Sequence, residues 1–167
     1  MKQQKKKEPS EKDATSALTA KQIIDQLKTL TPGNKTDNLR YYQGGNKATK
    51  SLGNAMAAMF KLAKACMQLS LTEIEKLLDS DYYEARIVAV SIMDFQARDK
   101  KTAKEEKKKL FELYIRRHDR IDNWDLVDRA APYVVGGYLF DQPRAILTML
   151  AKSKNPWERR SAIVSTY

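Results

Sequence analysis

A tryptophan and an aspartate near the middle of the chain have side chains and a spacing that are suited to chemistry. Trp124 and Asp128 lie four residues apart in the run IDNWDLVD, which we interpret as the start of a helix. Because four residues make about one helical turn, the two side chains are expected on one face. The indole ring offers a negatively polarised surface, and the carboxylate offers a full negative charge. The pair could therefore stabilise a positive charge that develops in a bound substrate.

The other polar residues of this run have a simpler explanation. Asp122 or Asn123 can accept a hydrogen bond from the first free backbone N–H groups of the helix. Asp125 falls in the first turn, where the helix dipole favours an acid. Asp128 lies beyond the first turn, so capping does not explain it. The residues alone are equally consistent with a solvated carboxylate at Asp128 and with a functional one.

Length and charge limit the class of protein. The chain has 167 residues, which favours a single domain with a real core, and a formal net charge of +10. This excess of basic side chains favours a polyanionic partner such as nucleic acid over an anionic membrane. No apolar run is long enough to span a bilayer. Lys5-Lys6-Lys7 is not followed by an apolar core, so we predict no secretory signal.

The single cysteine and the single histidine narrow the possible chemistry further. Cys66 alone cannot form a disulfide framework or a zinc cluster within the chain, and we interpret it as a small buried apolar residue. His118 lies at a predicted helix end, where a cation suits the helix dipole. Catalysis by His118 is the weaker alternative, because no nucleophile accompanies it. We therefore predict neither a metal site nor a cofactor.

The spacing of apolar residues predicts an all-α domain. Residues 1–16 are interpreted as a disordered basic tail, and residues 17–167 as a single domain. No stretch alternates with a period of two, and apolar residues instead recur at helical spacing. The expected helices cover residues 16–30, 47–69, 70–78, 82–98, 103–117, 124 to a break near Gly136-Gly137, 143–152 and 157 to the end. Ser70 is the expected cap of its helix, with Glu73 in capping-box position, and Pro143 is expected at a first helical position.

Several of these helices resemble one another. Three helix–turn–helix units begin near Ser70, Thr102 and Asp141. The second helix of each unit opens with an aromatic residue followed by an acid, at Tyr83, Trp124 and Trp157. The spacings of 41 and 33 residues are typical of helical repeats, although acids are common in first turns and coincidence is the alternative. Stacked units of this kind form a HEAT-like solenoid, in which the second helices line one concave face.

The same alignment predicts a basic concave surface with one acid at its centre. Asp128 is equivalent to Ile87 and Ser161, and the flanking units place Arg86 and Arg160 nearby. Arginine and lysine at the rim would hold phosphates, and the carboxylate would face the sugar or base between them. The candidate DNA contacts are Arg86, Arg159, Arg160, Lys107 and Lys108. The lysine run at 107–109 is also typical of a solvated face, which remains the simpler alternative.

The motifs resemble the AlkD-type DNA alkylation repair family over roughly residues 40–167. The resemblance is carried by Asn123-Trp124-Asp125-Leu126-Val127-Asp128, Tyr83-Glu84-Ala85-Arg86 and Trp157-Glu158-Arg159-Arg160-Ser161-Ala162. It implies HEAT-like repeats and excision of positively charged alkylpurines, such as 3-methyladenine and 7-methylguanine, from duplex DNA. It also implies that Trp124 contacts the deoxyribose, that Asp128 is the catalytic carboxylate, and that Arg160 helps to hold the DNA near the lesion.

The resemblance carries further expectations. That family acts without drawing the base into a pocket, and it usually continues with more helices, so we expect this chain to lack C-terminal repeats. We expect a monomer that binds duplex DNA, with no cofactor, metal or membrane partner, located in the cytoplasm and on the nucleoid when bound to DNA. Two alternatives remain open at this point. One is a non-catalytic DNA-binding module of the same fold, and the other is a protein-interaction solenoid that binds an acidic partner.

Overall fold

The structure is a computed structural model that describes residues 18–30, 37–44 and 47–166. Its helices are α1 (Ala20–Thr29), α2 (Met56–Ala65), α3 (Leu71–Leu78), α4 (Tyr83–Arg98), α5 (Lys104–Arg116), α6 (Trp124–Ala130), α7 (Gly137–Leu139), α8 (Ala145–Ala151) and α9 (Pro156–Val164). A 3₁₀ turn covers His118–Arg120, and a π-helical segment covers Ala131–Gly136. These residues contain no strand, which confirms the all-α prediction. The tail predicted for residues 1–16 lies outside the described residues.

The helices stack as a helical repeat fold. Helix α4 packs against α2, α3 and α6, while α6 in turn packs against α9. The three helices predicted to be equivalent are therefore successive neighbours in the stack. Helix α4 is central and is buried on nearly all sides, because its apolar residues extend well beyond one stripe. None of the described helices is both long and apolar enough to cross a bilayer.

Side chains cap the starts of α3 and α9, and of these two caps only Ser70 was predicted. Ser70 Oγ accepts a hydrogen bond from the Glu73 amide at 3.4 Å, and Asn155 Oδ1 accepts one from the Trp157 amide at 2.9 Å. The predicted capping box at Ser70 is wrong, however, because the Glu73 carboxylate is engaged elsewhere. It accepts a hydrogen bond from the Ala20 amide at 2.7 Å, and so joins the start of α1 to α3.

Other helix boundaries also differ from those predicted. Helix α2 begins at Met56 and not near residue 47. The segment before α2 is irregular, because its polar groups donate hydrogen bonds to the carboxylate of Glu84, which is fully buried. The donors are Asn38 Nδ2 (2.7 Å), Ser51 Oγ (2.5 Å), the Leu52 amide (3.0 Å) and the Gly53 amide (2.9 Å). Likewise α8 begins at Ala145, so Pro143 is not its first residue.

The predicted break at Gly136-Gly137 is wrong. The chain continues from α6 through the π-helical segment into α7 without leaving helical backbone. A Cβ atom at Gly136 would lie 2.3 Å from the Ser165 carbonyl oxygen, so this glycine permits close approach of the end of α9. A Cβ atom at Gly137 would meet nothing within 4 Å. Gly136 therefore lies at a tight contact between helices, whereas Gly137 lies at an open surface position.

This difference predicts opposite effects of the same substitution. We expect Gly136→Ala to lower the free energy of unfolding by about 1–3 kcal/mol, because the backbone of α9 must move. We expect Gly137→Ala to raise it by about 0.5–1 kcal/mol, because alanine restricts the unfolded chain and fits a helical backbone. Urea unfolding of the two variants beside the parent protein measures both values. Equal effects of the two substitutions would contradict the packing described for Gly136.

Candidate functional site

The side chains of Trp124 and Asp128 line one groove, as their spacing along the helix predicts. The site groove has a volume of about 290 Å³ and lies between α2, α4, α6 and the π-helical segment. Its lining includes Met56, Phe60, Trp124, Asp128, Arg129 and Tyr133. Trp124 is 40% exposed, and the Asp128 side chain is 36% exposed. A ligand in the groove can therefore reach both an indole ring and a carboxylate.

Both oxygens of Asp128 are held by one arginine. Arg160 of α9 donates from Nε to Oδ1 and from Nη2 to Oδ2, each at 2.6 Å. This bidentate geometry fixes the carboxylate plane, and the hydrogen bonds raise the pKa of Arg160. Arg160 is 42% exposed, so solvent and salt screen the pair and a bound anion can compete for the guanidinium. The structure thus brings Trp124, Asp128 and Arg160 together.

A distant segment positions the Trp124 ring. The indole Nε1 donates to the Tyr41 carbonyl at 3.3 Å, and the Gln43 amide donates to Asn123 Oδ1 at 2.9 Å. Two successive contacts therefore attach residues 41–43 to the start of α6. This hydrogen bond uses only the N–H at the edge of the ring, and Trp124 is 40% exposed at the groove, so a ligand can reach the indole.

The predicted capping by Asp122 or Asn123 is wrong. Asn123 is the residue before α6, but its side chain makes no capping hydrogen bond. Its amide group donates instead to Tyr83 at 3.0 Å and to Asp125 Oδ1 at 2.8 Å. Asp125 Oδ1 accepts the Leu126 amide at 2.8 Å, and Tyr83 donates to Asp125 Oδ2. Asp125 is therefore a structural acid that joins α6 to α4.

Arg86 does not contribute to a DNA-binding rim, so the predicted phosphate contact is wrong. Its side chain has no exposed surface. Nη1 donates to Asp122 Oδ1 at 2.6 Å, and Nη2 donates to Thr49 Oγ1 at 2.8 Å. Asp122 Oδ2 accepts a further hydrogen bond from Tyr42 at 2.5 Å. Arg86 faces this buried cluster of Tyr42, Thr49 and Asp122 because the irregular segment before α2 covers its end of α4.

The remaining predicted basic contacts lie in different surroundings. Arg159 is exposed, and its Nη1 donates to the Ser153 and Lys154 carbonyls at 2.8 and 2.9 Å. Lys108 lies 3.9 Å from Glu112 on the same helix. Lys107 faces a cleft beside the site groove and has no ion pair within the described part of the chain. Of the predicted cations, Arg160 thus contacts Asp128 of the groove and Lys107 lines the neighbouring cleft.

His118 lies at a helix end as predicted, but it is not the predicted cation. It is only 3% exposed, and burial lowers its pKa, which favours the neutral imidazole. Its Nε2 lies 2.8 Å from Ser161 Oγ, which also lies 2.7 Å from the Tyr114 hydroxyl. Ser161 is the predicted equivalent of Asp128, yet it faces this buried contact. The three side chains join α5 and the 3₁₀ turn to α9 beside Arg160.

Comparison with known proteins identifies the family. The sequence model of the DNA alkylation repair enzyme family matches residues 23–167. The chain belongs to the DNA alkylation repair enzyme family. This confirms the resemblance carried by the motif at residues 123–128. The chain has no significant match among curated proteins or among solved structures.

Membership of the DNA alkylation repair enzyme family assigns the chain to DNA alkylation repair and so indicates a DNA substrate. Within residues 18–30, 37–44 and 47–166, no three His, Cys, Asp or Glu side chains are arranged to hold a metal ion. The arrangement of Trp124, Asp128 and Arg160 provides an aromatic surface, an anion and an anion-binding cation at the groove.

A second charged cluster of this repair protein lines the groove and was not predicted from the sequence. The buried Asp94 carboxylate lies 3.0 Å from Arg129 and 3.6 Å from Arg98. Burial raises the pKa of Asp94, and the two arginines act in the opposite direction. The Arg98 guanidinium also lies 4.5 Å from the centre of the Tyr133 ring. The i,i+4 spacing of Asp94 and Arg98 is a visible signal, but Arg129 and Tyr133 reach this cluster only through folding.

Proposed function

We propose that the protein is a DNA glycosylase that removes cationic N3- and N7-alkylpurines, such as 3-methyladenine and 7-methylguanine, from duplex DNA. The observation that carries this proposal is the shared groove, in which a partly exposed indole ring lies beside a partly exposed carboxylate. Family membership provides the setting of DNA alkylation repair. The net charge of +10 supports a polyanionic substrate.

The reaction needs few groups on the protein. When the N-glycosidic bond of a cationic alkylpurine breaks, both bonding electrons go to the purine, which leaves as a neutral base. No general acid is required, in contrast to ordinary glycoside hydrolysis, where a carboxylic acid protonates the leaving oxygen. The positive charge moves to the deoxyribose. Water then adds to the sugar and loses a proton, which leaves an abasic site.

Asp128 is suited to stabilise the sugar in this step. A carboxylate about 4 Å from the developing charge contributes about 4 kcal/mol at an effective dielectric constant near 20. This agrees with the roughly hundred- to thousandfold rate loss that follows removal of one electrostatic stabiliser. The carboxylate can also orient the attacking water and accept its proton. Trp124 would contact the deoxyribose through the part of its ring that is exposed at the groove.

Arg160 has a positioning role in this proposal. In the free protein it holds the plane of the Asp128 carboxylate through two hydrogen bonds. A neighbouring phosphate of bound DNA would compete for the same guanidinium, because arginine binds phosphate with the same forked geometry. The open groove also allows contact from the sugar side, so the base need not be drawn into an enclosed pocket as in base-flipping enzymes.

One observation favours a second candidate function. Both Asp128 oxygens are engaged by Arg160, as they would be in a purely structural ion pair. A non-catalytic DNA-binding module of the same fold would show this geometry and would bind duplex DNA without releasing bases. The two candidates differ in base release alone.

A base-release assay tests the proposal. We expect the purified protein to release 7-methylguanine from methylated duplex DNA and to leave abasic sites. A duplex that contains a neutral lesion such as hypoxanthine is the matched substrate, and we expect no release from it, because a neutral base needs a proton donor to leave. Salt-sensitive duplex binding with no release of 7-methylguanine would reject the glycosylase in favour of the binding module.

A further inference from the structure

We propose that the DNA backbone beside the lesion binds in a second site, which we call the basic cleft. It consists of Arg98, Lys107, Tyr133 and Gly137 and has a volume of about 330 Å³. The proposal rests on the proposed function in taking duplex DNA as the ligand of the neighbouring site groove. The chemical group recognised is the phosphodiester, because the cleft presents cations from two helices and an aromatic surface.

The cleft carries positive charge in excess. Arg98 and Arg129 share the single buried carboxylate of Asp94, so one positive charge remains uncompensated in this group. Arg98 is the more distant partner, at 3.6 Å against 3.0 Å, and its side chain is 49% exposed. Its guanidinium rests against the Tyr133 ring, 4.5 Å from the ring centre, which limits its motion without using its hydrogen-bond donors. Arg98 can therefore donate to a phosphate.

Lys107 brings a second cation to the same cleft from α5. No acid forms an ion pair with it among the described residues, whereas the next lysine, Lys108, lies 3.9 Å from Glu112. An unpaired lysine that meets an arginine from another helix is a suitable arrangement for a phosphate, which accepts hydrogen bonds from several directions. The charge of the cleft is therefore available to a ligand.

The basic cleft continues from the site groove. Arg98 and Tyr133 line both, so a DNA strand could pass from Asp128 across the Tyr133 ring to Lys107. Gly137 keeps the surface open, because it has no side chain and a Cβ atom there would meet nothing within 4 Å. A further cleft of about 200 Å³ shares Lys107 and Gly137, adds Lys104 and reaches Asp141. The acid at Asp141 marks where favourable phosphate contacts end.

Salt dependence of binding to an undamaged duplex tests the basic cleft. We expect Lys107→Gln and Arg98→Gln each to weaken binding and to lower the slope of log K against log salt by about 1, the value for one lost phosphate contact. Lys109→Gln is the matched control, because Lys109 lies on the same helix but lines a separate cleft with Asp99 and Glu106. We expect this control to keep both the affinity and the slope of the parent protein.

Gly137 offers a test that does not depend on the contacts of Arg98 with Asp94. The position is helical and open, so Gly137→Glu and Gly137→Gln should both keep the fold, as thermal unfolding will show. We expect Glu to weaken binding to the undamaged duplex more than Gln, because only Glu places a negative charge among the cations. Equal affinities of the two variants would overturn the proposal.

The outcomes separate this proposal from the proposed glycosylase. A parent-like slope in both Lys107→Gln and Arg98→Gln, or the same loss in Lys109→Gln, would overturn the basic cleft whatever the base-release assay shows. A slope lowered by about 1 in the two cleft variants only would support it, even if the protein releases no base. In that case the glycosylase proposal alone fails.

Discussion

Asp128→Asn is expected to slow the release of 7-methylguanine by about a hundred- to a thousandfold while duplex binding is kept. Asparagine has the same shape but no charge, so it removes the anion that would stabilise the cationic sugar. Loss of this negative charge from a groove that binds a polyanion should, if anything, favour DNA binding. Single-turnover release from methylated DNA measures the rate, and fluorescence anisotropy measures the affinity.

Two matched substitutions make this result specific. Asp119→Asn changes a carboxylate that is 63% exposed and pairs with Arg117, and it should leave base release unchanged. Asp125→Asn places an NH2 group where Asp125 Oδ2 accepts the Tyr83 hydroxyl, and it should lower stability more than Asp128→Asn does. Base release by Asp128→Asn at the parent rate would remove the proposed role of this carboxylate.

Arg86→Met should lower the free energy of unfolding by about 3–5 kcal/mol, the largest stability effect that we expect of a single substitution here. Methionine fills much of the same volume but leaves Asp122 buried without its cation. The Asp122 side chain is only 11% exposed, so water replaces the lost hydrogen bonds poorly. Urea unfolding monitored by circular dichroism gives the value.

A double-mutant cycle identifies the cause. Arg86→Met combined with Asp122→Asn should be less destabilised than the sum of the single variants, because the second change removes the stranded charge. Arg159→Met replaces an exposed arginine and should cost far less stability. If Arg86→Met instead left stability within about 1 kcal/mol of the parent and weakened DNA binding, the sequence-based expectation of a phosphate contact would be restored.

The sequence predicted those features that depend on residues close together along the chain. Trp124 and Asp128 could be placed on one face because they belong to one helix. The cap at Ser70 and the successive packing of α4, α6 and α9 follow from local sequence patterns in the same way. The prediction of the all-α repeat fold needed no more than this information.

The predictions that failed depend on groups that meet only after folding. Arg86 was predicted at a rim because its repeat position suggested one, but Tyr42 and Thr49 lie against that end of α4 and contact the Arg86 guanidinium. Gly136 was predicted to break a helix because glycine weakens helices locally, whereas the carbonyl of Ser165 makes glycine necessary there. His118 was predicted as a cation because its burial against Ser161 has no local signal. Lys107 of the basic cleft was predicted as a DNA contact, but Arg98 and Tyr133 join it only through folding and were missed.

The contacts of residues 37–44 and 47–53 have a consequence for how this protein unfolds. In a simple solenoid each repeat contacts only its neighbours, so the ends can fray independently of the middle. Here the Tyr42 and Gln43 contacts with Asp122 and Asn123 cross 80 residues of sequence, and the Glu84 carboxylate binds the same region from another helix. These contacts couple the first part of the array to its centre, so the beginning of the domain and the groove should melt in one cooperative step. Unfolding of the N-terminal end would therefore also disrupt the site groove.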